Sequence, residues 1–116
     1  KVAVTRAEEP TEPEEFTPIS ALDDLEEGAP YRFHVDGTPI VVVRSGQTAY
    51  ALSDICSHLG RSLAGGEVHN GNIMCPAHSS TFKLEDGTVV HGPAAYPQPT
   101  FDVRVREGQI EVRRPS

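Results

Sequence analysis

Five turn dipeptides ending in glycine constrain this chain more than any other feature: Asp36-Gly37, Ser45-Gly46, Asn70-Gly71, Asp86-Gly87 and Glu107-Gly108. Such pairs supply the positive φ that tight hairpins need, and Asn-Gly is the strongest short signal of this kind. The segments between them have strand length. Tyr31, Phe33 and Val35 alternate with Arg32, His34 and Asp36, the pattern of a half-buried strand. Pro39 to Arg44 is apolar at consecutive positions, so it is expected to be covered on both faces, and Gln47 to Leu52 follows as a third strand. Glu67 to Met74 forms a hairpin, Thr81–Leu84 and Thr88–His91 flank another turn, and Phe101-Val103-Val105 pairs with Ile110-Val112. Short strands at regular spacing predict an all-β chain, an antiparallel sandwich or small barrel. Ser20-Ala21-Leu22-Asp23 matches a capping pattern, so one helical turn is expected over 20–25. There is no internal repeat, and 116 residues suffice for one small domain.

Charge divides the chain. Residues 1–30 carry nine acids against Lys1 and Arg6, a net of −7, whereas residues 31–116 carry eight acids and eight bases. The proline-spaced acidic stretch cannot bury enough apolar area to order itself, so residues 1–17 are expected to be a linker and 18–116 the domain, with a short β-strand from Val2 or Phe16 packing on the domain as the alternative. Its start at Lys1 suggests a piece of something longer. A balanced domain lacks the basic face that a nucleic-acid partner requires. No apolar run approaches the ~20 residues that span a bilayer, so this segment is not expected to insert in a membrane.

Two segments break the strand pattern, Cys56-Ser57-His58-Leu59-Gly60 and Cys75-Pro76-Ala77-His78-Ser79-Ser80. Each places one thiolate and one imidazole on a turn, two residues apart in the first and three in the second, and together they use both cysteines of the chain. Side by side, they would supply an S₂N₂ set that suits a tetrahedral Zn²⁺ or an iron–sulfur cluster. A Cys56–Cys75 disulfide is a third option, but it would leave the histidine spacing a coincidence. His34, His69 and His91 have no second cluster of ligands near them in sequence and fit surface positions.

The pattern Cys-x-His, sixteen residues, Cys-x-x-His resembles the Rieske motif, and Gly92-Pro93 within HGPAAYPQP resembles the proline loop of that family. The resemblance implies one [2Fe–2S] cluster, with Cys56 and Cys75 on the inner iron and His58 and His78 on the outer one. It also implies small antiparallel β-structures with a cluster-binding subdomain at one tip, its ligand loops near 54–66 and 75–82 and its proline loop near 91–99. By the same resemblance Ser80 would donate a hydroxyl hydrogen bond to a bridging sulfide. Phe82 occupies a position where high-potential members often carry tyrosine, and Pro93 belongs to the covering loop. Respiratory and photosynthetic members carry a further cysteine in each loop, joined as a disulfide. Arg61 and Ala77 stand there, which is similar to the soluble ferredoxin branch and implies a potential in the lower half of about −150 to +300 mV.

The resemblance further implies a cytoplasmic, monomeric one-electron carrier rather than an enzyme. It would take electrons from a flavin reductase and deliver them to a terminal, aromatic-ring oxygenase. The acidic stretch leaves open a domain covalently linked to a larger protein, membrane-tethered or like the small subunit of a nitrite reductase. A zinc-stabilised binding module is the reading from another class. Leu59, Gly60, Ala77, Pro93 and Ala94 would form a small apolar docking rim.

Overall fold

The computed structural model describes residues 16–55, 62–76, 80–92 and 96–114. Two antiparallel sheets make up the fold, and the expected all-β architecture is what is found. The larger is assembled from β1 (Thr17–Ala21), β2 (Pro30–Val35), β3 (Thr38–Ser45), β4 (Thr48–Ser53), β9 (Thr100–Arg106) and β10 (Gln109–Arg113), in the order β1-β10-β9-β4-β3-β2. The smaller, β5 (Glu67–His69), β6 (Asn72–Met74), β7 (Thr81–Lys83) and β8 (Val89–His91), runs in sequence order and is inserted between β4 and β9. Turn chemistry accounts for much of this meander. Asp36-Gly37, Asn70-Gly71 and Glu107-Gly108 have both central residues at positive φ, which matches the right-handed twist of the strands they join.

β3 is the seam between the sheets. Successive side chains of a strand point to opposite faces, and here both faces are covered, as expected. Ile40 and Val42 join Leu22, Leu25, Val35, Ala49, Ala51, Ile110 and Val112 in the core of the large sheet. Val41 and Val43, with Leu52 of β4, turn the other way and pack on Leu63, Ile73, Cys75, Phe82 and Leu84 of the small one. Ile40, Val41, Val42 and Leu52 have no solvent exposure. At about 25 cal/mol per Å² of apolar area buried, this shared strand is a main source of cohesion between the sheets.

Two local expectations need correction. Ser20 does not cap a helix: it lies in β1, its hydroxyl donates to the Ala21 carbonyl, and the helical element is a 3₁₀ turn at Leu22–Asp24 with no side-chain cap. β1 begins at Thr17, next to the Phe16 from which a short strand is the alternative to a linker, and Pro18 and flanking polar residues obscure its period. It pairs with β10 across an irregularity between Pro18 and Ser20. Phe16, just before it, lies beneath the guanidinium groups of Arg104 and Arg113, at 4.2 and 4.6 Å.

Candidate metal centre

The first Cys/His segment leaves the large sheet where β4 ends, beside the start of β3. The Asp54 N–H donates to the Pro39 carbonyl at 3.1 Å, and Ile55 then pairs antiparallel with Ser62, closing the base of residues 56–61. Asp54 holds that base from within. Its Oδ2 accepts from the Ser62 hydroxyl at 2.6 Å, its Oδ1 accepts from the Ala64 N–H at 2.8 Å, and its carbonyl accepts from the Leu63 N–H at 2.8 Å. Arg32 of β2 completes the set, 3.1 Å from Oδ2, its side chain half exposed while Asp54 is fully buried. A buried carboxylate is costly unless both oxygens are engaged, and here both are.

The second segment is the loop of the β6–β7 hairpin. The Cys75 N–H donates to the Ser80 carbonyl at 2.7 Å and closes it. Cys75 is buried with a free thiol, among the apolar side chains of the small-sheet core, and Ser80 is fully buried beside that hydrogen bond. Phe82 lies fully inside the same core.

Glycine brings the two segments together. After the first, a 3₁₀ turn at Leu63–Gly65, started by Ser62, directs Leu63 into the core that holds Cys75. A Cβ on Gly66 would run into the carbonyl of Met74, the residue before Cys75, and a Cβ on Gly65 would touch Pro76 at 3.8 Å. Only a residue without a side chain at 66 lets the exit of one segment lie against the entry of the other.

Of the residues singled out in the sequence, Cys75, Ser80 and Phe82 are placed together at this end of the small sheet. Cys56, His58, His78 and Pro93 lie outside the described residues, as do Leu59, Gly60, Arg61, Ala77 and Ala94. His34, His69 and His91 are exposed on strands, and among the described residues no group of three His, Cys, Asp or Glu side chains could hold a metal. Asp54, Gly66 and Gln98 emerge only in the structure. Cys75 presents a soft sulfur donor within this core, the ligand type that iron–sulfur groups take. The donor chemistry of these two segments therefore fits an iron–sulfur group. No helix among the described residues is long and apolar enough to cross a membrane.

The sequence profile of the Rieske [2Fe-2S] domain matches residues 15–102. The anthranilate 1,2-dioxygenase ferredoxin subunit of Burkholderia cepacia is 32% identical over 98 residues, 84% of this chain and 91% of that protein. Ferredoxin CarAc of Metapseudomonas resinovorans is 33% identical over 95 residues, 81% of this chain and 89% of its own. Among solved structures, the ferredoxin of carbazole 1,9a-dioxygenase from Nocardioides aromaticivorans IC177 superposes with a TM-score of 0.81 at 36% identity, covering 85% of this chain and 99% of that one. A complex of reduced oxygenase and oxidized ferredoxin in carbazole 1,9a-dioxygenase aligns with a TM-score of 0.80 at 31% identity, covering 84% of this chain and 92% of that one. With its motif spacing, its inserted small sheet and these relatives in agreement, the chain belongs to the Rieske [2Fe–2S] domain family, among its electron-carrying ferredoxins rather than its catalytic components.

Proposed function

We propose that Cys56, His58, Cys75 and His78 hold one Rieske [2Fe–2S] cluster, through which the chain, as a monomer, passes single electrons from a flavin reductase to a terminal oxygenase. The observation that supports this best is the joining of the two ligand segments at their bases, through the shared Leu63–Cys75 core and the Gly66–Met74 approach. When bound, such a cluster supplies a one-electron couple whose neutral imidazole ligands raise its potential above that of all-thiolate clusters. The chain does the rest. Cys75 offers its sulfur from inside the core, Ser80 places a hydroxyl-bearing residue at the close of the second loop, and Asp54 fixes the base of the first.

Docking has a surface to use. Among the described residues, Ile55, Val90 and Tyr96 are the large apolar side chains left exposed, at 43, 49 and 71%. Ile55 adjoins the first ligand segment, Val90 precedes the proline stretch, and Tyr96 lies within it. Redox encounters need under ~1,200 Å² of contact, so a few such side chains suffice. The test is anaerobic reconstitution with iron and sulfide, then dithionite reduction. A brown protein that bleaches and shows a reduced-state electron paramagnetic resonance signal of low average g is expected. It should then carry electrons from a flavin reductase to a Rieske-dependent oxygenase. A colourless protein that retains zinc instead would overturn the reading.

A further inference from the structure

Gln98 is a buried polar residue that the ligand set does not use. It is 2% exposed, whereas Tyr96 and Pro97 before it and Pro99 after it are exposed. Its Nε2 donates to the Ser53 carbonyl at 2.8 Å and to the Ile55 carbonyl. These two groups flank Asp54, and the second belongs to the residue directly before Cys56. Its backbone N–H donates to the Gly87 carbonyl at 2.7 Å. Its own carbonyl lies so close over Gly87, which has φ +77, that a Cβ there could not be accommodated. The Ser53 N–H donates in turn to the Pro99 carbonyl at 2.8 Å. Three segments meet at this one residue: the entry to the first ligand loop through its side chain, and the exit of the proline stretch and the β7–β8 turn through its backbone.

From this geometry we infer that Gln98 is a positioning residue for the metal centre, a latch that ties the proline stretch to the backbone leading into Cys56. The inference rests on the cluster assignment proposed above. A side-chain amide can satisfy two carbonyls at once because it carries two N–H donors. Without it, the Ser53 and Ile55 carbonyls lose a donor and the two segments can part without the rest of the fold opening. The latch therefore acts on how long the cluster stays and how much water reaches it, more than on whether the chain folds.

The test compares Gln98→Met, close in length and lacking both donors, with Val112→Ala, which weakens the remote core of the large sheet. Both are prepared as reconstituted full-length protein. Gln98→Met is expected to keep the reduced-state signal but to lose iron to a chelator about tenfold faster than wild type, the loss of roughly 1.4 kcal/mol of local hydrogen bonding. Its potential should rise, because added water favours the more negative reduced state. Val112→Ala should unfold at lower temperature with potential and iron loss unchanged well below its transition. Equal iron loss and equal potential in Gln98→Met and wild type would overturn the latch. Amide exchange over 54–61 and 93–98 in the metal-free chain separates the two ideas. If wild type takes up no cluster, the electron-carrier reading fails, while faster exchange in Gln98→Met still supports the latch and unchanged exchange removes it.

Discussion

A carboxylate without solvent exposure survives at position 54 because the Ser62 hydroxyl, the Ala64 N–H and the Arg32 guanidinium each take part of its charge. Replacing it with alanine strands a buried N–H and hydroxyl and frees the loop base. Asp54→Ala should cost about 3 kcal/mol in urea unfolding and lower the yield of coloured protein. The ligands give sharper signatures. Cys75→Ser should be colourless and poorly stable, since metal binding contributes to folding in so small a domain. His58→Cys or His78→Cys should keep a cluster in part of the molecules at a lower potential, because a charged thiolate replaces a neutral ring. A higher potential by protein-film voltammetry would contradict those assignments. The cysteine–histidine spacing was visible in the sequence because ligand chemistry demands those residue types at those intervals. Asp54 and Gln98 were not visible, since they work by bonding to backbone groups as far as 45 residues away and leave no local pattern.

Most strands announced themselves through period-two alternation and glycine turns, and the double-sided burial of β3 was legible as an unbroken apolar run. Where burial is one-sided and weak, as in β1, a strand is legible only as the alternative to a linker, and the 3₁₀ turn falls within the expected 20–25 but without its cap, because Ser20 pairs within a strand. Among the described residues, the β7–β8 turn carries the clearest acid response. Asp86 is held below its ordinary value of 3.8 by the Thr88 N–H, then by the Thr88 hydroxyl, both donating to Oδ1. A carboxyl lowered in the folded state stabilises above its unfolded value, and that contribution is lost as pH falls through the folded one. Asp86→Asn should therefore lower the neutral-pH midpoint slightly and flatten the pH dependence of unfolding below 3.8, so that variant and wild type converge in acid, as thermal melts across that window would show.

At the scale of the molecule, the two cores should respond differently to metal removal. Cys75 belongs to the small-sheet core and to none of the large-sheet core. Chelation is expected to raise hydrogen exchange first in β5 to β8 and to spare the β9–β10 hairpin, as peptide-level mass spectrometry would resolve. Uniform exchange increases across both sheets would mean that the chain behaves as one cooperative unit.

The insert departs at Ser53 and returns at Pro99, two residues joined by a single 2.8 Å hydrogen bond. Topologically the redox module is a detour in a hairpin: β4 and β9 would be neighbours without it, and a short turn could reconnect them. The platform could not simply shed its passenger, however. Val41, Val43 and Leu52 would be left facing water, a greasy scar on the strands that bore it, so platform and passenger are separable on paper and interdependent in solution.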